Sequence, residues 1–403
     1  MSAGMKDAKD ILKAKGPAVL RSLVEAAVPS VEDPEGTIPG DSSAVSNQIA
    51  PPRPASPVDG PRSPEELLAL MDSREFSAGH VVPPPEPVFS IADRIISTPG
   101  NITNVQGIAK SGKSAVLGAM LAAVFNGDRQ GADTLGFLAS NHHGRALIHI
   151  DTEQSRYDHD QLVRKSLVRA RADVPPGWFH SFWTTDLAVS DRRCALRHLI
   201  RRAADQCGGV FAVIIDGVAD LISSVNDEES SRAFVAELHR FAIDFNCAVV
   251  TVLHENPGST NGKTRGHLGS ELERKAETNL QICKDANGIS TIWADRARHC
   301  NFPKSDGHCF AWSITEGMHV SKGRAGEIKA NANRAKWIEE AESAFDEDVE
   351  LRRCDLISRV MPIAGIKEEA GKKRIASYCL EGIIEKNRDG NYRLSAKRRG
   401  KGV

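Results

Sequence analysis

The stretch Gly107-Ile108-Ala109-Lys110-Ser111-Gly112-Lys113-Ser114, followed by Ala115, decides how the rest of the chain is read. Its spacing is G-x-x-x-x-G-K-[ST], in which glycines let successive backbone N–H groups turn inward onto phosphate oxygens. Lys113 can reach the outer phosphates as a point charge, and the Ser114 hydroxyl is a ligand type suited to Mg2+. The flanks agree with this. Ile102–Gln106 reads as a short apolar-rich strand and Lys113–Phe125 (KSAVLGAMLAAVF) as a helix, so a helix N-terminus aims its free N–H groups and dipole at the phosphates. The expectation is a site for ATP and Mg2+ over Gly107–Ala115. The plain alternative is a Gly-rich loop that binds nothing.

Outward from the loop, Ala146–Asp151 (ALIHID), Val210–Asp216 (VFAVIID) and Ala248–Leu253 (AVVTVL) are continuous apolar runs of strand length. Such runs belong to strands covered on both faces. Helical patterns over Asp158–Ala172, Asp191–Cys207 and Glu229–Phe245 separate them, which predicts an α/β domain with a largely parallel sheet. In such sheets ligands lie at the carboxyl ends of the strands. Thr278–Cys283, Ser290–Ala294 and Cys309–Ile314 read as shorter strands of an antiparallel extension.

The two ends differ from this core. Residues 1–87 hold fourteen of the 20 prolines and read as a disordered Pro-rich tail, too poor in apolar surface to offset ordering. Within it Ser63-Pro64-Glu65-Glu66 is a capping box, opening a possible docking helix over 64–76 for a protein partner or neighbouring subunit. The core is expected over 88–316, and a helical linker over 317–346. Residues 347–396 read as a small winged-helix-like domain. Its helices cover Val349–Val360 and about Lys367 to Glu381, and Asp389-Gly390 turns a hairpin. A basic tail, 397–403, follows.

Lys and Arg total 52 against 53 Asp and Glu, a net charge of −1, so any nucleic-acid binding must rest on local patches. All eight cysteines lie at or after Cys194 with no paired framework, and no apolar leader or membrane-length run occurs. The expectation is a soluble, cytoplasmic protein without a membrane partner.

Several strand ends carry candidate chemistry. Asp216 closes VFAVIID, where a carboxylate can hold Mg2+ through water, and Asp220 is a second candidate. The plain reading of either is a turn or cap. Glu153, in Asp151-Thr152-Glu153, can polarise the attacking water, as can Asp151. His254 ends AVVTVL near the γ-phosphate position. Arg296-Ala297-Arg298 follows the run STIWA and suits phosphate charge, or is a solvated basic turn. The Gly-rich stretch from Pro257 to Ser270 carries Lys263 and Arg265, which suit a nucleic-acid backbone. It has no aromatic residue for base stacking.

Taken in order, these motifs resemble the RecA-fold ATPases of the plasmid RepA-type replicative helicase group over Pro87–Thr315. The later motifs are a strand ending V-L-H-E-N, then T-R-G-H-L-G-S-E-L-E-R, then R-A-R. The resemblance implies a RecA-like P-loop NTPase core forming a ring, a homo-hexamer, that acts on single-stranded DNA. It implies Glu153 as catalytic base, Asp216 with Ser114 as the Mg2+ residues, and His254 as γ-phosphate sensor. Arg298 would be an arginine finger for the adjacent subunit, with Arg296 beside it where the family commonly has Lys. The loop Asn256–Gly269 would face DNA. Two other functions stand beside a helicase: a non-helicase ATPase switch such as a recombination mediator, and an ATP-controlled DNA-binding regulator.

Overall fold

Every residue of Ile102–Gly107 (β3) is buried, because this strand lies inside a nine-stranded sheet with layers on both faces. The computed structural model describes residues 62–127, 131–255, 264, 266–299, 301–346 and 348–395. Residues 1–61 of the Pro-rich tail, Lys263, Arg265 and the basic tail 397–403 lie outside the described residues.

Five further strands run parallel to β3: Ala146–Asp151 (β5), Phe179–Trp183 (β6), Val210–Asp216 (β7), Ala248–His254 (β8) and Thr278–Lys284 (β9). Ser290–Ala297 (β10), His308–Ser313 (β11) and Met318–Arg324 (β12) add antiparallel strands beyond β9. The order is β12-β11-β10-β9-β3-β8-β7-β5-β6. This is the mostly parallel α/β sheet of a RecA-like P-loop core.

Side chains alternate between the faces. Val105, Leu147, Ile214 and Val250 face Lys113–Asn126 (α2) and Arg156–Ala170 (α3). Ile102, Ile148, Val213 and Val249 face Val189–Cys207 (α4), Glu228–Asp244 (α5) and Gly266–Lys275 (α6). A small sheet of Phe89–Ile91 (β1), Arg94–Ser97 (β2) and Phe137–Leu138 (β4) lies beside it.

Three expectations are corrected. Residues 317–346 are not one connecting helix. Met318–Arg324 pairs with β11, so the sheet runs past 316, and the helix Ala325–Phe345 (α7) starts after it. The strand before Arg298 extends to Ala297, so Arg296 lies in β10 rather than after it. The Gly-rich loop is not loop throughout: Gly266–Ser270 is the first turn of α6, and Glu255 bridges Thr264 across the residues between.

Beyond the sheet, Arg353–Ala364 (α8), Glu368–Leu380 (α9) and the hairpin Ile384–Lys386 (β13) with Tyr392–Leu394 (β14) share a core of their own with the end of α7. On α9, Lys372 is paired with Glu368 and Glu369, and Arg374 turns inward onto buried Glu340. The N-terminal helix Pro64–Asp72 (α1) has a complete capping box at Ser63 and buries nothing. Leu67, Leu68 and Met71 are exposed on it. Among the described residues no helix is long and apolar enough to cross a membrane.

Candidate nucleotide site

The loop after β3 owes its shape to Gly112 and to the antiparallel extension. Gly112 has φ +109°, and a Cβ there would meet the Phe310 ring of β11 at 2.8 Å. Ser290 of β10 donates its hydroxyl to the Ser111 carbonyl at 2.7 Å, so the loop rests on strands that follow it by about half the chain. Lys110 adopts φ +63°, as backbone N–H groups turned toward a common centre require.

Strand register gathers the remaining groups. Gly107 pairs with His254, and Asp151 with Asp216, so the ends of β3, β8, β7 and β5 form one rim. A cavity of about 290 Å³ opens on it, lined by Lys113, Ser114, Glu153, Asp216 and His254 together with Lys110, Gln154 and Lys284. Of the predicted residues, Lys110, Gly112, Lys113, Ser114, Ala115, Glu153, Asp216 and His254 therefore meet.

Lys113 donates to the Gly107 and Ile108 carbonyls at 2.8 and 2.9 Å, and its third contact is His254 Nδ1 at 3.1 Å. An ammonium has only donors, so Nδ1 accepts and the ring proton sits on Nε2. Nε2 then donates to Glu153 Oε2 at 3.0 Å. His254 thus joins the phosphate-loop lysine to the candidate base. Burial lowers the Lys113 pKa, and Glu153, Asp216 and Glu255 oppose that.

Glu153 is held by its surroundings. Asp151 accepts the backbone N–H groups of Glu153 and Gln154 at 3.1 and 2.9 Å. Burial pushes the Asp151 carboxyl up, yet these bonds and the His159 ring hold it below the usual range. His159 Nδ1 lies 3.2 Å from Asp151, and Ser181 bridges His159 to the stacked, fully buried His149. Asp151 is therefore spent on shaping this turn, which separates it from Glu153 as the residue facing the cavity. Gly217 is required here: a Cβ would lie 2.4 Å from Glu153 Cγ.

Asp216 receives the Gln154 amide at 2.9 Å. Burial, then Asp151 and Glu153, push it up to about 7. A buried carboxylate held near two others is short of positive charge, and with the Ser114 hydroxyl on the same cavity these donors fit Mg2+. Asp220 instead lies 3.9 Å from Arg192 and takes the Thr152 hydroxyl at 3.3 Å.

Arg296 and Arg298 are not on this rim. β10 runs antiparallel, so Arg298 sits level with Ile102 at the other end of β3, about 17 Å along from Gly107 at ~3.3 Å per residue, and Arg296 sits level with Asn104, about 10 Å along. Arg296 pairs with Glu273 at 2.9 Å, while Arg298 reaches Asn101 and the Lys275 carbonyl at 3.5 and 3.3 Å. Sequence reasoning did not find Lys284 and Gln154. Lys284 enters the cavity only because β9 lies beside β3, which sheet order decides. Gln154 follows Glu153 directly and was within reach of the same argument.

Fold and rim together are those of a P-loop ATPase domain. Residues 64–259 match the AAA domain family, a stretch containing the phosphate loop, Glu153, Asp216 and His254. No curated protein matches the chain.

Proposed function

We propose that this protein is a cytoplasmic, Mg2+-dependent ATP hydrolase that assembles as a homo-hexameric ring and moves on single-stranded DNA, as RepA-type helicases do. The observation carrying the hydrolytic part is the chain Lys113–His254–Glu153 facing Asp216. Lys113 and the loop N–H groups hold the triphosphate, with Ser114 and Asp216 as the Mg2+ residues. Bound there, the cation neutralises charge on the outer phosphate oxygens. Glu153 orients a water and accepts its proton as the water oxygen bonds to the γ-phosphorus and the bond to the bridging oxygen breaks. His254 senses that change through its bond to Glu153. Arg298 lies a strand's length from its own loop, so it serves the site of an adjacent subunit, with Arg296 beside it. The DNA part rests on the family resemblance and on Lys263 and Arg265. The outward apolar face of α1 is a dock for a protein partner.

A switch that hydrolyses ATP without separating strands is the second reading. The winged-helix-like end favours it, because Lys372 and Arg374 are occupied by carboxylates rather than presented to a phosphate backbone. One experiment separates the readings: ATP turnover with and without single-stranded DNA, beside particle size with an ATP analogue. DNA-stimulated turnover and a hexamer support the ring motor. Turnover indifferent to DNA supports the switch, and no turnover with Mg2+ and ATP overturns both.

A further inference from the structure

A second cavity, of about 310 Å³, continues from the phosphate cavity. The two share Ser114, Ala115, Gln154 and His319. Its walls have a different chemistry. Leu162 of α3, Trp312 of β11 and Met318 of β12 line it, beside polar side chains that include exposed Lys165 and buried Ser166 and Arg169. Trp312 is 51% exposed although it is large and aromatic, and it meets the His319 ring edge-on at 5.4 Å. Burial, and then the nearby Lys284 and Arg169 cations, hold the His319 pKa below its usual value.

We propose that this cavity is the nucleoside subsite, and that the face of Trp312 stacks on the purine base of the nucleotide whose phosphates lie on Gly107–Ser114. This rests on the phosphate reading above. Three observations fix the occupant. The cavity begins at Ser114 and Ala115 in the first turn of α2, where a triphosphate seated on the loop passes into its sugar. Its volume is at the small end of the range for small-molecule sites, enough for a nucleoside and little more. Its apolar walls and half-exposed indole offer a flat aromatic ring what phosphate oxygens cannot use. Sequence reading did not reach this site because Trp312 enters it through the β11–β12 pairing, and β12 was read as helix.

The test compares ADP with inorganic tripolyphosphate, each with Mg2+, by calorimetry on the full chain. Trp312→Ala should weaken ADP about tenfold or more, as loss of one base–aromatic stack does, and leave tripolyphosphate within about twofold. Trp312→Phe should restore most of the ADP affinity, and it should abolish the part of the nucleotide-induced tryptophan emission change that Trp312 supplies. If Trp312→Ala binds ADP like the wild type, or loses both ligands equally, the subsite is overturned. Lys113→Ala tests the underlying reading separately, since it should lose both ligands. If it keeps both, the phosphate reading falls and the subsite with it.

Discussion

The two ends of β3 hold their charges in opposite ways. At the Gly107 end, Glu153, Asp216 and Glu255 act on Lys113, whose own charge burial disfavours, and Asp151 and Glu153 in turn press on Asp216. At the Ile102 end, Arg296 already has Glu273, and Arg298 rests on an amide and a carbonyl at the long limit of hydrogen bonding. In the proposed hydrolase, the first arrangement is completed by a cation and a phosphate chain. The second gives up Arg298 cheaply, because an exposed contact of this kind contributes little. In the proposed ring, one end of the strand receives the nucleotide and the other lends a cation to the adjacent subunit.

The sharpest break of that contrast is Lys113→Ala. It removes the lysine that bonds the Gly107 and Ile108 carbonyls, and phosphate release should fall to background with ATP binding lost in calorimetry. Next is Arg298→Ala, which should still bind ATP but hydrolyse it about 10³–10⁵-fold more slowly if the finger acts in the neighbouring site. Glu153→Gln should be equally inactive. Mixed with subunit exchange, the two variants form interfaces that hold both intact groups, so turnover should return. Demonstrated exchange with no recovery, while wild type mixed with either variant stays active, would place Arg298 in its own subunit.

Asp216 offers a test with two signs. With its folded pKa near 7, above the unfolded value, its contribution to stability is fully present below about pH 4 and is lost as pH rises through 7. Asp216→Asn should therefore match wild type near pH 4. At pH 8 it should exceed wild type by at most on the order of 4 kcal/mol in denaturant unfolding, while turnover disappears. A variant less stable at pH 8 would contradict the charge crowding. The smallest effect is expected from His159→Gln, which loosens Asp151 and the turn carrying Glu153. It should lower kcat about tenfold, as loss of a supporting partner does, and leave ADP affinity unchanged.

Much of this site was legible because its strands are buried on both faces. β5 and β7 read as unbroken apolar runs, and the phosphate-loop spacing is local. Phe179–Trp183 and Met318–Arg324 escaped notice because they are edge strands, half-buried throughout or partly exposed, with no run of apolar residues to mark them. Arg296 and Arg298 were legible as a motif, but their distance from the loop follows from the direction of β10. Lys284 and Trp312 depend on which strands are neighbours, and a linear sequence does not state adjacency.

The three contacts of Lys113 set a condition on timing. Its ammonium has three protons, and Gly107, Ile108 and His254 take all of them. A phosphate oxygen can gain this lysine only by exchange. If the proton surrendered is the one given to His254, Nδ1 is freed, the ring can change its tautomer, and its hold on Glu153 changes at that moment. The act of loading fuel and the act of readying the base then become a single event, and water near Glu153 meets a prepared carboxylate only after the triphosphate has arrived.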